Sequence, residues 1–335
     1  MAITIRDVAK RAGVGVGTVS RVLNGSPLVS QRTRAKVQTA IEELDYTPSS
    51  IARRLSLGRT MTIGVIAPFF IRPSYVERLR GVDTVLAESE YDFIIYNVET
   101  VARRDACFRD ILRQERVDGL LIITLPPTDE EVDRLKQANI PTVLVDGAHP
   151  QISHVMIDDV AGGYQATRHL LDLGHRKIGY ISDLLQESPF GFRPVADRYQ
   201  GYRNALADAG IEFRPEYHRQ GELSRREASR LAQELLTLPD PPTAIFAYSD
   251  TQAFGVLRAA QNLGLKVPEE LSVIGYDDIE ISEFLHLTTI CQHLLESGQR
   301  GAELLLAEIA DPGPPQEVIL PTDLVLRSTT APPDN

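Results

Sequence analysis

The chain has 335 residues, 43% of them apolar and 24% charged, which fits two or three globular units and excludes a disordered or fibrous chain. The net charge of −11 is unevenly placed: residues 1–60 hold ten Lys/Arg against four Asp/Glu, +6, leaving 25 against 42, −17, in the rest. Apolar runs are strand-sized, the N-terminus lacks an apolar leader, and Cys107 and Cys291 lack C-x-x-C spacing. A membrane span, a signal peptide and a disulfide framework are therefore not expected, and a reducing cytoplasm is.

In chain order, Thr4 reads as an N-cap with Asp7 reaching back to it, followed by an apolar stripe of Ile5, Val8, Ala9 and Ala12. Gly13 should stop that helix in a left-handed conformation. A second short helix fits 16–23, burying Val19, Val22 and Leu23, until Asn24-Gly25 breaks it. Ser30 caps a third helix over 31–46.

Gly13, Gly15 and Gly17 alternate like the glycines of a dinucleotide fingerprint. That motif needs a strand before it and glycine at its sixth position, whereas here a helix precedes and the sixth residue is Thr18. Two short helices around a glycine turn are instead a helix-turn-helix, whose second helix offers Val16, Gly17, Thr18, Ser20 and Arg21 to DNA. Val16 is also readable as a core residue of its own helix.

The run "TIRDVAKRAGVGVGTVSRVLNG" closely resembles the DNA-binding head of the lactose/galactose-repressor (LacI/GalR) family of bacterial transcription regulators. "DYTPSSIARRLSLGRTMTIGVI" resembles that family's hinge and its entry into the effector domain. The resemblance implies that Val16, Gly17 and Arg21 read bases, with Thr18 and Ser20 placed for phosphates. It adds Thr4, Asn24, Ser30 and Arg53 to the DNA-binding set. Gly17 departs from the Ala or Gln expected there, so that base is read weakly or by shape. Arg21 can fork onto guanine, worth roughly 1–3 kcal/mol of discrimination.

Residues 48–60 begin with Pro48 and allow about two turns of helix, too few to be stable alone in water. By resemblance Leu55 is the wedge that enters the minor groove, and Ala52 the small residue where two hinge helices meet. On residue chemistry alone an Arg-rich linker touching phosphates is the alternative.

From residue 61 apolar strands alternate with amphipathic helices. Strands are expected at 62–69, 92–98, 119–124, 142–146, 177–182, 244–248 and 271–276. Helices are expected at 74–89, 103–115, 129–137, 161–173, 198–209, 225–236 and 251–263. The alternation predicts doubly wound parallel sheets with chain enough for two subdomains, and the resemblance implies the fold class: an all-α helix-turn-helix head, residues 1–47, on an α/β periplasmic-binding-protein-like body of two doubly wound parallel-sheet subdomains. One subdomain takes 61–160 and 291–320, the other 161–290 and 321–330, with hinges near Ala161, Ile290 and Leu320. Residues 331–335 form a tail with no heptad pattern, so a tetramer is not expected.

Ligands of such sheets bind beyond the carboxyl ends of the strands. Phe70, Asp146, Ser249-Asp250 and Asp277 stand there. Carboxylates so placed accept sugar hydroxyls in pairs, or serve as helix caps. "DRYQGYRNAL", "AIFAYSDTQAFGVLRA" and "LSVIGYDDIEISEFLHLTTICQ" resemble the family's effector-domain signatures. The resemblance implies an effector pocket of Asp146, Arg198, Asp250 and Asp277, with Phe70 and Leu223 as apolar wall. Ser249 replaces the usual Asn, and Leu223 replaces the aromatic that stacks on a sugar in some members. Residues 184–196 read as a loop near the pocket, carrying Phe190, Phe192 and Arg193.

His169, His175, His286 and His293 lack metal-ligand spacing, and no nucleophile motif or Walker motif is present. No metal, cofactor or catalytic residue is expected. The partners expected are double-stranded operator DNA with an inverted repeat, a second copy of the chain, and a small effector such as a sugar or metabolite. An extracytoplasmic sugar-binding protein would need an export signal and no basic head. An NAD-dependent oxidoreductase would need the glycine fingerprint after a strand.

Overall fold

A computed structural model describes residues 3–23, 25–46, 59–114, 116–185, 190 and 192–334. The chain divides into two compact units, Met1–Thr60 and Met61–Asn335. Asn24, Ala52, Arg53 and Leu55 lie outside the described residues.

The first unit is three helices: α1 Ile5–Ala12, α2 Val16–Leu23 and α3 Gln31–Glu43. The Thr4 amide and hydroxyl both donate to the Asp7 carboxylate, at 2.9 and 2.7 Å, which fastens the start of α1. Gly13 ends it at φ +67°, in the left-handed region that favours glycine. Val8, Ala9, Val19, Val22, Val37, Ala40 and Tyr46 form one buried cluster. The third helix stops three residues earlier than its pattern predicts. Asp45 turns left-handed at φ +47°, and the Tyr46 amide donates back to the Ile41 carbonyl at 3.0 Å. The turn folds the Tyr46 ring onto the helix triad, and burying that ring outweighs another helical turn.

The second unit is built on two parallel sheets. Strands β1 Thr62–Pro68, β2 Asp92–Val98, β3 Gly119–Ile123, β4 Thr142–Val145 and β5 Ser153–Ile157 belong to the first. The second holds β6 Ile178–Ser182, β7 His218–Gln220, β8 Ala244–Ala247 and β9 Ser272–Ile274, in the order β7-β6-β8-β9. An antiparallel ribbon, β10 Thr289–Cys291 with β12 Asp323–Val325, runs beside the end of β9, where the Asp277 amide donates to the Ile290 carbonyl at 2.8 Å. Strand β11, Glu317–Leu320, returns to the first sheet, whose order is β11-β5-β4-β3-β1-β2. The chain passes between the sheets at Asp158, at Gln292-His293 and at Pro321-Thr322.

The connecting helices are α4 Pro73–Leu86, α5 Val101–Gln114, α6 Asp129–Gln137, α7 Asp159–Asp172, α8 Arg193–Asp208, α9 Arg225–Leu236, α10 Asp250–Leu263, α11 Glu280–Phe284 and α12 Leu294–Ala310. Helix α8 begins within the stretch 184–196 that reads as loop, because Pro194 fits a helix's first turn. Two of the helix crossings that rest on glycine bear on the site. A Cβ at Gly81 of α4 would lie 2.0 Å from the Leu295 carbonyl oxygen of α12, and one at Gly298 2.0 Å from that of Arg78. In α7 and α8, Cβ atoms at Gly163 and Gly201 would lie 2.3 and 2.2 Å from the Arg198 and Val160 carbonyl oxygens. Backbone meets backbone at both crossings, so the arginine at each is fixed in place.

Candidate functional site

Helix α2 turns Val19 and Val22 into the head's core and leaves Val16, Gly17 and Arg21 outside. Val16 is 42% exposed, so of its two readings the exposed one holds. A Cβ at Gly17 would meet nothing within 4 Å, and its φ is not positive, so neither strain nor crowding requires glycine there. The bare backbone is a feature of the outer face. Thr18 and Ser20 are half-buried on the same helix, Thr4 is committed to its cap, and Ser30 accepts from the Thr33 amide at 3.3 Å to cap α3.

In the body, three strands of the first sheet end in left-handed residues: Phe69 after β1 (φ +44°), Thr124 after β3 (+58°) and Asp146 after β4 (+59°). Across from them Asp277, beyond β9, has φ +123°. Non-glycine residues in this region carry strain, which gathers where a chain aims side chains at a ligand. These ends face a cleft between the two sheets, lined by Asp146, Arg198, Leu223, Ser249 and Asp277 of the expected set.

Its floor is a chain of buried polar groups. Arg198 donates from Nε to Asp159 at 2.7 Å and from Nη1 to the Tyr248 carbonyl at 2.9 Å and Asp277 Oδ1 at 3.4 Å. Its guanidinium lies 3.7 Å from the Tyr276 ring centroid. Gln292 donates to Asp277 Oδ1 at 2.5 Å and accepts from Arg78 at 2.8 Å. Arg78 also donates to Ser297 Oγ at 3.2 Å and pairs with Asp146 Oδ2 at 3.1 Å. The chain thus runs from α7 and α8 through the second crossing segment to α4 and α12. Burial pushes the Asp277 carboxyl up to about 6 against the pull of Arg198 and Arg78. Burial raises Asp146 as well, with Arg78 opposing it.

Asp146 is half engaged. Thr124 Oγ1 and Arg78 hold Oδ2, while Oδ1 is buried and without a partner. An unsatisfied buried acceptor costs about 1–3 kcal/mol, which a ligand's hydroxyl or N–H would relieve. That oxygen is an acceptor atom open to a ligand. The cavity is about 40 Å³, well below the volume of a sugar-sized ligand site.

Two expected pocket residues point elsewhere. The Asp250 carboxylate accepts from Ser282 Oγ at 2.6 Å, Thr289 Oγ1 at 2.5 Å and the Ile279 amide at 3.0 Å, which ties α10 to α11 and β10. With both oxygens engaged inside the core, it does not line the cavity. Phe70 packs into the cluster of Tyr75 and Leu79. The left-handed turn places the preceding Phe69 at the mouth instead, edge-on to Phe190 at 6.0 Å with the Arg72 guanidinium 4.1 Å from its centroid. Phe192 lines the cavity, and Arg193 pairs with Asp197 at 3.0 Å.

Residues 4–49 match the bacterial regulatory proteins, lacI family, and residues 167–330 a periplasmic binding protein-like domain. The ribose operon repressor of Haemophilus influenzae is 36% identical over 313 residues, 92% of each chain. The chain belongs to the lacI family. This LacI-family regulator is also 34% identical to the HTH-type transcriptional repressor PurR of Vibrio vulnificus, over 97% of its own length and 98% of the relative's. The lac repressor dimer bound to operator and the anti-inducer ONPF matches it with a TM-score of 0.85, at 28% identity, over 99% and 100% of the two chains. It is a transcriptional regulator that binds operator DNA through its helix-turn-helix head. No helix among the described residues is long and apolar enough to cross a membrane.

Reading the sequence missed Arg78, Thr124, Asp159 and Gln292. Thr124 and Gln292 each follow a strand and obey the strand-end rule. Arg78 sits mid-helix among charged neighbours, and nothing in its local pattern marks it as buried.

Proposed function

We propose that this LacI-family regulator is a repressor that binds an inverted-repeat operator as a homodimer, with affinity set by a sugar or sugar derivative in the body cleft. It acts by binding rather than catalysis, in the bacterial cytoplasm and on the nucleoid. The observation that carries the effector reading is the cleft floor, where a buried Asp146 oxygen lacks a donor amid residues from both sheets. Asp146, Arg198, Leu223, Ser249 and Asp277 form the ligand wall, and Val16, Gly17 and Arg21 read bases. Leu55 serves as the minor-groove wedge, a role resting on family resemblance alone.

The dimer reading has its own support. Helix α11 carries Glu280 and Glu283 in its first turn and ends on Phe284, 72% exposed. A groove of about 440 Å³ between α9 and α10 is floored by Phe254 and edged by Arg225, Arg226 and Arg258. An acidic, aromatic knob and a basic, aromatic-floored groove on one chain suit a two-fold contact between copies.

Ligand entry parts the sheets, breaks or rebuilds the polar chain at Gln292, and shifts the equilibrium that the head reads. Such coupling is typically about 1–3 kcal/mol and is reciprocal between DNA and effector. A melting screen of the full chain against monosaccharides, disaccharides and purines tests the ligand class. A sugar that stabilises the wild type but not Asp146→Asn supports it. Stabilisation by purines alone, or by no member of the panel, overturns it.

A further inference from the structure

A second cavity, of about 250 Å³, opens at the other end of the six-stranded sheet, where β4 and β5 begin. It is remote from the strand ends that make the cleft. Its floor is apolar, made by Val132 and Leu135 of α6 and by Ile152, all buried. Its rim carries two opposite charges that do not meet. Lys136, in the last turn of α6, donates only to the neutral Gln151 Oε1, at 2.7 Å. Glu308, on α12, is supported only by the Ser153 hydroxyl, whose oxygen in turn accepts from the Gln316 amide at 2.8 Å. Among the described residues neither Lys136 nor Glu308 has an ion-pair partner.

A half-buried carboxylate without a cation is poorly solvated, and burial pushes the Glu308 carboxyl up. A cation brought by a ligand would relieve that. An ammonium at Glu308 and a carboxylate at Lys136 would satisfy both rims at once, and the floor between them suits an aliphatic chain. The volume is somewhat below the roughly 300–1,000 Å³ of drug-sized pockets, which sets an upper bound on the ligand. A sugar has no use for the floor, and a simple amine or fatty acid would leave one rim unmatched.

We propose that this cavity is a second ligand site, for a small zwitterion with an apolar side chain, of the class of aliphatic α-amino acids. Its ammonium sits at Glu308, its carboxylate at Lys136, and its side chain on Val132, Leu135 and Ile152. The site is independent of the effector cleft.

The test is thermal melting of the full chain with about 10 mM L-leucine, 4-methylpentanoate or isopentylamine, the last two lacking one charge each. L-Leucine should raise the midpoint by about 1–3 °C, with affinity about tenfold above either analogue. Glu308→Gln should lose the leucine shift, and Asp146→Asn, in the cleft, should keep it. Circular dichroism establishes that Glu308→Gln is folded, and Lys136→Met, at an exposed position, supplies the same test should it not be. No shift with L-leucine, L-isoleucine or L-methionine overturns the proposal. So does an equal response to the single-charge analogues, a shift unaltered in both rim variants, or one lost in Asp146→Asn.

Discussion

Arg78 and Asp146 meet at 3.1 Å on the floor of the cleft, their side chains 3% and 4% exposed. Both charges have left water, so each depends on the other. Removing one partner leaves an uncompensated buried charge, at a cost of about 3–5 kcal/mol. Arg78→Met should therefore lower the unfolding free energy of the body by that amount. Asp146→Asn should cost less when introduced into Arg78→Met than into the wild type. Urea unfolding of the four species in a double-mutant cycle measures the coupling, and strict additivity would count against a paired role.

Asp250 supplies a pH dependence whose sign is fixed. Burial raises its carboxyl to about 8, with Asp277 adding to the shift, while an unfolded aspartate titrates near its ordinary value of about 4. Between those limits the native state holds a proton that the unfolded chain has released. Its contribution is complete at the acid end and is lost as pH rises through about 8. Asp277, raised to about 6, acts with the same sign over a narrower window. Urea midpoints from about pH 5 to 9 should fall more steeply for the wild type than for Asp250→Asn. Parallel profiles would show that Asp250 is ionised in the fold.

Gly17 tests the recognition helix without disturbing its packing. Its Cβ position is open and its backbone is ordinary helix, so Gly17→Ala should stabilise the head by about 0.5–1 kcal/mol. The new methyl stands on the outer face and should change the base preferred at one position of each half-site. Selection of binding sites from random duplexes reads the preference. An unchanged consensus would remove α2 from base reading.

Arg21→Ala should lower operator affinity by about 1–3 kcal/mol and relax discrimination at a single base pair. Anisotropy titrations on the selected site and its point variants separate that from a phosphate contact, which would weaken all sequences alike.

Much of this was legible in the sequence, and distant contacts account for several of the exceptions. The head's helices follow from local signals: a cap at Thr4, a left-handed stop at Gly13 and apolar spacing through Val19 and Val22. Only Tyr46, turned back by a left-handed Asp45, escapes them, because a tertiary contact sets that helix end. In the body the long strands stand out as apolar runs. The strand pattern passes over β5 and β11 as well as the three-residue strands β7, β10 and β12, which are held by partners distant in sequence, and the helix pattern passes over α11 and α12. The strand-end rule located Asp146, Ser249 and Asp277 at the cleft. It failed at Asp250, one residue past Ser249, because a helix start turns successive side chains about 100° apart and sends the second one inward. Arg78 was beyond reach because its burial comes from α12, more than 200 residues away, packed on Gly81 and Gly298.

The central claim is that occupancy of the body cleft sets operator affinity. Its most direct measurement is the affinity of the full chain for a selected inverted-repeat duplex, with and without a sugar that raises the body's melting point, in the wild type and in Asp146→Asn. The expected result is a change of about 5- to 150-fold in the wild type and none in the variant. Equal affinity with and without a bound sugar in the wild type would contradict it.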